Sequence, residues 1–218
     1  MEKLNNTTAG TGLKETIRQF SPANFYLICD KLSKKDQHLK SVIKVHGYPP
    51  MWTRPATFQS LILFILEQQV SLASAYAAFK KLKEKIGFVT PAKILALSDA
   101  ELKSCYFSRQ KIIYARELAA AVKSKRLQLK KLSSLSNEEV REQMIKIKGI
   151  GHWTIDVFLM HVLQRTDLFP LGDIALVKSL KEVKQLPKNI SKEEMLKIAE
   201  PWRPYRTIAS MILWHAYY

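Results

Sequence analysis

The chain has 218 residues, 47% of them hydrophobic, which is enough for a substantial core in one compact domain or two small interlocked lobes. Its 35 lysines and arginines against 19 acids give a net charge of +16. That balance points to a polyanionic partner, because each phosphate neutralised by a basic side chain releases condensed counterions, although a generically basic protein carries the same signal. Two cysteines, Cys29 and Cys105, exclude a disulfide framework or a four-thiolate cluster, and no apolar run reaches the roughly 18 residues of a membrane span.

Residues 1–20 open with MEKLNNTTAGTG, which lacks the apolar segment of a secretory leader, and are read as a polar tail. The chain is therefore expected to be intracellular. Thr57, just after Pro55, can cap a helix in which Phe58, Leu61, Ile62, Ile65, Leu72, Tyr76 and Phe79 recur at three- and four-residue spacing. Ser98 with Glu101, Ser136 with Glu139, and Ser191 with Glu194 fit the S-x-x-E capping box. Another helix follows Ser108 and runs through Ile112, Ile113, Ala115, Leu118, Ala119 and Val122, and a last one starts near Tyr205, after Pro201 and Pro204. Only seven glycines occur and no long alternating Val/Ile/Thr segment suggests a sheet. The predicted fold is all-α: a two-lobed helical bundle with one lobe over residues 56–163, a second formed by 21–55 and 164–218, and a cleft between them.

The segment Lys146-Ile147-Lys148-Gly149-Ile150-Gly151-His152-Trp153-Thr154 joins the helix opened by Ser136 to an apolar helix containing Ile155, Phe158, Leu159 and Val162. The two glycines suit a tight turn in this hairpin of residues 137–163, because glycine accepts backbone angles denied to other residues. The turn leaves the amides of Gly149, Gly151 and His152 at the positive end of the second helix, a ready site for a phosphate, with Lys148 and His152 beside it. An ordinary helix–helix turn would explain the glycines equally well. About twenty residues on, in FPLGDIAL, Asp173 stands at the expected N-cap of a helix carrying Ile174, Val177, Leu180 and Val183. Capping alone accounts for an aspartate there. A rigidly held carboxylate at a cleft mouth could also stabilise a sugar cation or direct a water.

GIGHWT followed by FPLGDIAL resembles the helix-hairpin-helix DNA glycosylase superfamily, and within it the alkylation-repair branch of the 3-methyladenine DNA glycosylase II type. The segments ILEQQVSLASA at 65–75, SRQK at 108–111 and WRPYRTIASMILW at 202–214 extend the likeness over most of the chain from about residue 21. The resemblance implies that Asp173 is the catalytic aspartate and that Gln69 wedges into the gap left by a flipped nucleotide. It implies that Lys111, Lys148, Gly149, Gly151 and His152 meet the DNA, and that Trp153, Trp214 and Trp202 wall the base pocket. Core packing is an equal alternative for Trp202. The carbonyls of Ile145, Ile147 and Ile150 occupy the positions at which the superfamily holds a monovalent cation, so a structural Na+ or K+ is expected there and no cofactor for catalysis.

In the glycosylase/lyases of the superfamily a lysine two residues after the second hairpin glycine attacks the sugar; here that position is Trp153. The resemblance thus implies a monofunctional enzyme that uses water on double-stranded DNA containing alkylated bases, acting as a monomer, without the iron–sulfur cluster of other branches. Two positions depart from the pattern: Lys148 stands where proline is frequent, and Asp156, on the second hairpin helix, is read as a solvated residue, the alternative being a second polar group of the pocket. The chain also lacks the N-terminal β-domain of larger members, the pattern of a minimal catalytic unit. The alternatives are a glycosylase for oxidised or deaminated bases, and a non-catalytic helix-hairpin-helix DNA-binding protein.

Overall fold

The computed structural model describes residues 19–217. Most of the polar tail read from the sequence lies outside these residues, but its last two do not belong to a tail. Phe20 is wholly buried, its N–H donates to the Gln164 carbonyl at 2.9 Å, and the Gln19 amide donates to the Leu163 carbonyl at 2.8 Å. An aromatic ring at a chain entrance is stabilised by burial, which composition averaged over the first 20 residues conceals.

The described residues form twelve α-helices and no strand. These are α1 (Phe25–Lys35), α2 (Gln37–His46), α3 (Phe58–Glu67), α4 (Leu72–Ile86), α5 (Pro91–Ala96) and α6 (Asp99–Ser104). After them come α7 (Arg109–Lys123), α8 (Asn137–Met144), α9 (His152–His161), α10 (Ile174–Val183), α11 (Lys192–Ala199) and α12 (Arg206–Tyr217). Local chemistry sets most of the starts. Thr57, Ser71, Thr90 and Ser108 each accept from the backbone N–H three residues on, and Ser98, Ser136 and Ser191 complete capping boxes with Glu101, Glu139 and Glu194.

The single helix expected to run from Phe58 to Phe79 is instead two. The chain leaves α3 at Gln68, passes through Gln69 at φ 59, and restarts α4 on the Ser71 cap. Ile65 and Leu72 are seven residues apart, about two helical turns, so the apolar spacing continues across the break and cannot reveal it. Every residue of α3 except Gln59 is buried, so α3 is apolar nearly all round rather than amphipathic.

Helices α3 to α9 pack around α3, which touches α4, α7 and α9; α5 and α6 lie on α7, and α8 lies on α9. Helices α1, α2, α10 and α12 pack on one another, with α11 joined to them through the 3-10 turn at Glu200–Trp202. The chain crosses between the two groups at residues 162–173, and that crossing is firmly tied. Thr207 N–H donates to the Thr166 carbonyl at 2.9 Å, Leu168 N–H donates to the Thr207 hydroxyl at 3.1 Å, and Arg206 pairs with Asp167 at 2.7 Å. This fixes the path of the loop that delivers Asp173. No helix among the described residues is long and apolar enough to cross a membrane.

Candidate active site

A cleft of about 1860 Å³ opens along α3, the 68–71 turn, the 145–151 turn and the start of α10. Asp173 lies in its wall, half-buried, and has two attachments. As the N-cap of α10 its Oδ1 accepts the Leu176 N–H at 2.8 Å. Its carboxylate also accepts two indole N–H groups, Trp214 Nε1 on Oδ1 at 3.0 Å and Trp153 Nε1 on Oδ2 at 2.9 Å. The capping role is therefore present, yet it does not use up the carboxylate. Among the described residues no lysine or arginine forms an ion pair with Asp173, and Oδ2 retains accepting capacity toward the cleft.

The two indoles come from different elements. Trp153 sits in the first turn of α9, half-buried, and Trp214 lies on α12, 5% exposed. Trp214 stacks on the His161 imidazole, with centroids 5.6 Å apart and planes at 27°. His161 is half-buried in the cleft wall, and its Nδ1 faces the Trp52 carbonyl at 2.9 Å. Burial pushes its pKa down to about 4, with Arg54 adding to the depression. It is therefore a neutral ring at physiological pH, which makes it Nδ1–H that donates to Trp52.

The hairpin turn behaves differently at its two glycines. Gly149 has φ 93, and a Cβ there would lie 2.1 Å from the Tyr114 ring, so both backbone angle and close approach require glycine. Gly151 is the N-cap of α9 with an ordinary extended backbone, and a Cβ there would meet nothing within 4 Å. The open space lies over the amides of the first turn of α9, and Gly151 has no side chain to cap them. The turn is held from below by Gln68, whose amide donates to the Gly149 carbonyl at 2.8 Å and to the Thr154 hydroxyl at 3.0 Å. The exposed Gln69 follows directly and lines the same cleft, as do Lys148, Gly149 and Gly151. His152 is exposed on the first turn of α9, outside the cleft lining.

Ile145, Ile147 and Ile150 line this end of the cleft. The Ile147 carbonyl already accepts the Ile150 N–H at 2.9 Å, which leaves one lone-pair direction. Neutral carbonyls without a carboxylate among them are a donor set that fits a monovalent cation better than a divalent one.

Three assignments made from the sequence change. Trp202 is 1% exposed in the core of α1, α11 and α12; its Nε1 donates to Asp36 at 2.8 Å, and its ring packs on Phe169 at 5.8 Å, away from the cleft. Lys111 turns its ammonium onto the protein, where Nζ donates at 2.6 Å to the Leu66 carbonyl, one of the last-turn acceptors of α3 that lack a helical donor. Burial there holds its pKa below the usual lysine range. Asp156 is not a solvated residue: burial raises its pKa, against the pull of Arg141, with which it pairs at 2.5 Å across the hairpin.

Sequence reasoning missed five participants: Arg54, Glu67, Gln68, Tyr114 and His161. Arg54 and Glu67 form a two-pronged ion pair in the cleft wall, with contacts of 2.8 and 2.6 Å. Glu67 carried one usable signal, an acid closing the otherwise uncharged helix FQSLILFILE. The other four have no local signature.

A glycine-turned helical hairpin beside a cleft, with a capping aspartate presented between two indole N–H groups, is the arrangement that the resemblance to the helix-hairpin-helix DNA glycosylases implies. The family comparison agrees, since residues 62–204 match the HhH-GPD superfamily of base excision DNA repair proteins, and the chain belongs to that superfamily. It is similar to DNA-3-methyladenine glycosylase 1 of Schizosaccharomyces pombe, 32% identical over 84% of this chain and 83% of that protein. It is also similar to a putative DNA-3-methyladenine glycosylase of Bacillus subtilis, 29% identical over 96% of this chain and 76% of that one. Among solved structures, the Schizosaccharomyces pombe 3-methyladenine DNA glycosylase in complex with abasic DNA superposes with a TM-score of 0.80. That match has 31% identity and covers 86% of this chain and 95% of the other.

Proposed function

We propose that this protein is a monofunctional DNA glycosylase that flips an alkylated purine out of duplex DNA and hydrolyses its glycosidic bond. The observation that carries the reading is the carboxylate of Asp173, held by the Leu176 amide and two indoles and facing the cleft without a cationic partner among the described residues. Glycosidic cleavage develops positive charge on the sugar, and an anion fixed in advance lowers that barrier without reorganising. The C1′–N bond breaks toward the base, a water oxygen bonds to C1′, and the water gives up its proton, so the products are free base and an intact strand with an abasic site. Oδ2, which takes only the Trp153 N–H, receives the water's hydrogen or faces the sugar cation in this reading.

Each surrounding group has a part. Trp153 and Trp214 orient the carboxylate, and Trp153, the more open of the two, offers its ring to a purine; stacking on a cationic methylated ring contributes roughly 1–3 kcal/mol. Gln69, held at positive φ at the tip of its turn, fills the stack that the nucleotide vacates. The amides at the start of α9, with Lys148, grip a backbone phosphate, and a Na+ or K+ held by the carbonyls of Ile145, Ile147 and Ile150 would supply further positive charge to that grip. Trp153 stands where a lyase would carry its lysine, which leaves water as the nucleophile. A methylated purine already bears positive charge and leaves readily, so the site needs no strong general acid.

The test is single-turnover release of 7-methylguanine and 3-methyladenine from methylated duplex DNA by the wild type and by Asp173→Asn. Asparagine keeps the cap through its carbonyl oxygen and removes the charge. Release should fall on the order of 100-fold or more in the variant while duplex binding stays close to wild type and the lost Trp153 acceptor costs about 1–3 kcal/mol of stability. A folded, DNA-binding wild type that releases neither base would overturn the reading, and so would an Asp173→Asn variant that releases both at the wild-type rate.

A further inference from the structure

The buried Arg54–Glu67 pair belongs to the wall of the cleft, yet the mechanism above does not use it. Glu67 closes α3 with its side chain 5% exposed, and Arg54 comes from the preceding loop with its side chain 22% exposed. The guanidinium lies 4.5 Å over the Phe64 ring, and Phe64 lies against His161 at 6.5 Å. His161 in turn stacks on Trp214, whose indole N–H reaches Asp173. The sequence of layers is therefore guanidinium, phenyl ring, neutral imidazole, indole and carboxylate, with no other charged side chain in the stack. The Arg54 N–H also donates to the His161 carbonyl at 2.7 Å, which fixes the loop to α9.

Holding the loop in place does not require charge. A buried ion pair contributes little more than well-packed apolar residues of similar volume, because desolvation offsets most of its attraction. The placement does matter electrostatically for anything bound in the cleft. An arginine without its partner would put a full positive charge in the wall of the cleft that Asp173 also lines, and from which Asp173 must attract a cation.

We propose that Glu67 is a specificity-determining residue that cancels the charge of Arg54, leaving a polar but neutral pocket wall that admits a positively charged purine beside Asp173. This rests on reading the cleft as the pocket for an alkylated base. Removing Glu67's charge should therefore hinder release of a cationic base without weakening the grip on DNA that has no base to place in the pocket.

The experiment compares wild type, Glu67→Gln, Arg54→Met and the double variant R54M/E67M. The readouts are single-turnover release of 7-methylguanine from duplex DNA and affinity for a duplex carrying an abasic site. We expect Glu67→Gln to slow release roughly tenfold, and R54M/E67M, which has no cation to cancel, to recover to within about threefold of wild type. Arg54→Met should lose less than Glu67→Gln, and all three should keep abasic-site affinity. Equal losses in Glu67→Gln and Arg54→Met, or a double variant no faster than Glu67→Gln, would mean the pair only holds the loop. If Glu67→Gln is not recovered folded, Arg54→Met and the double variant decide the matter: release near wild type supports the proposal and a tenfold loss in both overturns it. Absence of methylpurine release by the wild type would instead refute the pocket reading itself.

Discussion

Two aspartates in this protein have nearly the same local chemistry and lie in opposite surroundings. Asp36 caps α2, accepting the His38 and Leu39 N–H groups, and takes an indole N–H from Trp202 at 2.8 Å. Asp173 caps α10 and takes indole N–H groups from Trp153 and Trp214. The difference is a counter-ion and an opening. Lys184 pairs with Asp36 at 2.5 Å, both side chains at most 16% exposed, and its Nζ lies 5.5 Å over the Trp202 ring. Asp173 has no such cation among the described residues and borders the cleft. A capping aspartate bonded to an indole is therefore a structural device when its charge is neutralised and enclosed. The same device becomes a candidate for chemistry when the charge is left open.

The sharpest way to break this comparison is to remove the same charge at both sites. Asp173→Asn is expected to lower base release on the order of 100-fold or more and to cost less stability than the loss at Asp36. Asp36→Asn leaves the Lys184 ammonium buried without its partner and should destabilise the fold by about 3 kcal/mol, with release per folded molecule unchanged. Denaturant unfolding and single-turnover release on both variants measure the crossing. If Asp36→Asn impaired release as strongly as Asp173→Asn, or Asp173→Asn were the more destabilised, the distinction would fail.

Acid should separate the two regions next. Beside Asp173, His161 has a folded pKa of about 4, below its unfolded value of about 6.5. The unfolded chain therefore binds the proton first, and the stability from keeping the ring neutral is complete above about pH 6.5. It is lost progressively as pH falls toward 4, by roughly 3 kcal/mol. At Asp36 burial raises the pKa, but hydrogen bonds from Lys184, Trp202 and the Leu39 amide more than offset this and hold it below the usual range. That contribution is present above the unfolded carboxylate value of about 3.9 and is lost only as pH falls through the lower folded value. The Asp173 region should thus loosen before the Asp36 region. Thermal melts between pH 7 and 4 should show a falling Tm that flattens in His161→Gln; an unchanged slope would remove His161 as its cause.

Contrasts of this kind mark the limit of what the sequence displays. The three capping boxes, the Thr57 and Ser108 caps and Asp173 at the start of α10 are legible because each depends on groups three residues apart. The break at Gln69 is invisible to apolar spacing, since the pattern resumes two turns later in phase. Trp202 and Trp214 look alike as letters, and only the third dimension gives one to Asp36 and the other to Asp173. Lys111 reads as a surface cation until α7 is laid against the end of α3. Arg54, Glu67 and His161 are joined across 13 and more than 100 residues of sequence, so no window along the chain contains their relation.

The indoles offer the smallest and most selective test. Trp202→Phe keeps most of the ring volume and removes the N–H that satisfies Asp36, a hydrogen bond to a charged acceptor worth about 1.5–3 kcal/mol. Its expected effect is a lower unfolding free energy with unaltered release. Trp214→Phe also loses an N–H donor, but Asp173 keeps the Leu176 amide and Trp153, so the carboxylate stays solvated while its orientation and one pocket wall change. Release should fall by roughly tenfold, with duplex affinity intact and a smaller loss of stability than in Trp202→Phe. The two variants delete the same atom group from the same kind of residue. Opposite outcomes in stability and turnover would therefore assign the difference to surroundings alone, whereas matching outcomes would mean that neither aspartate is set apart by its counter-ion.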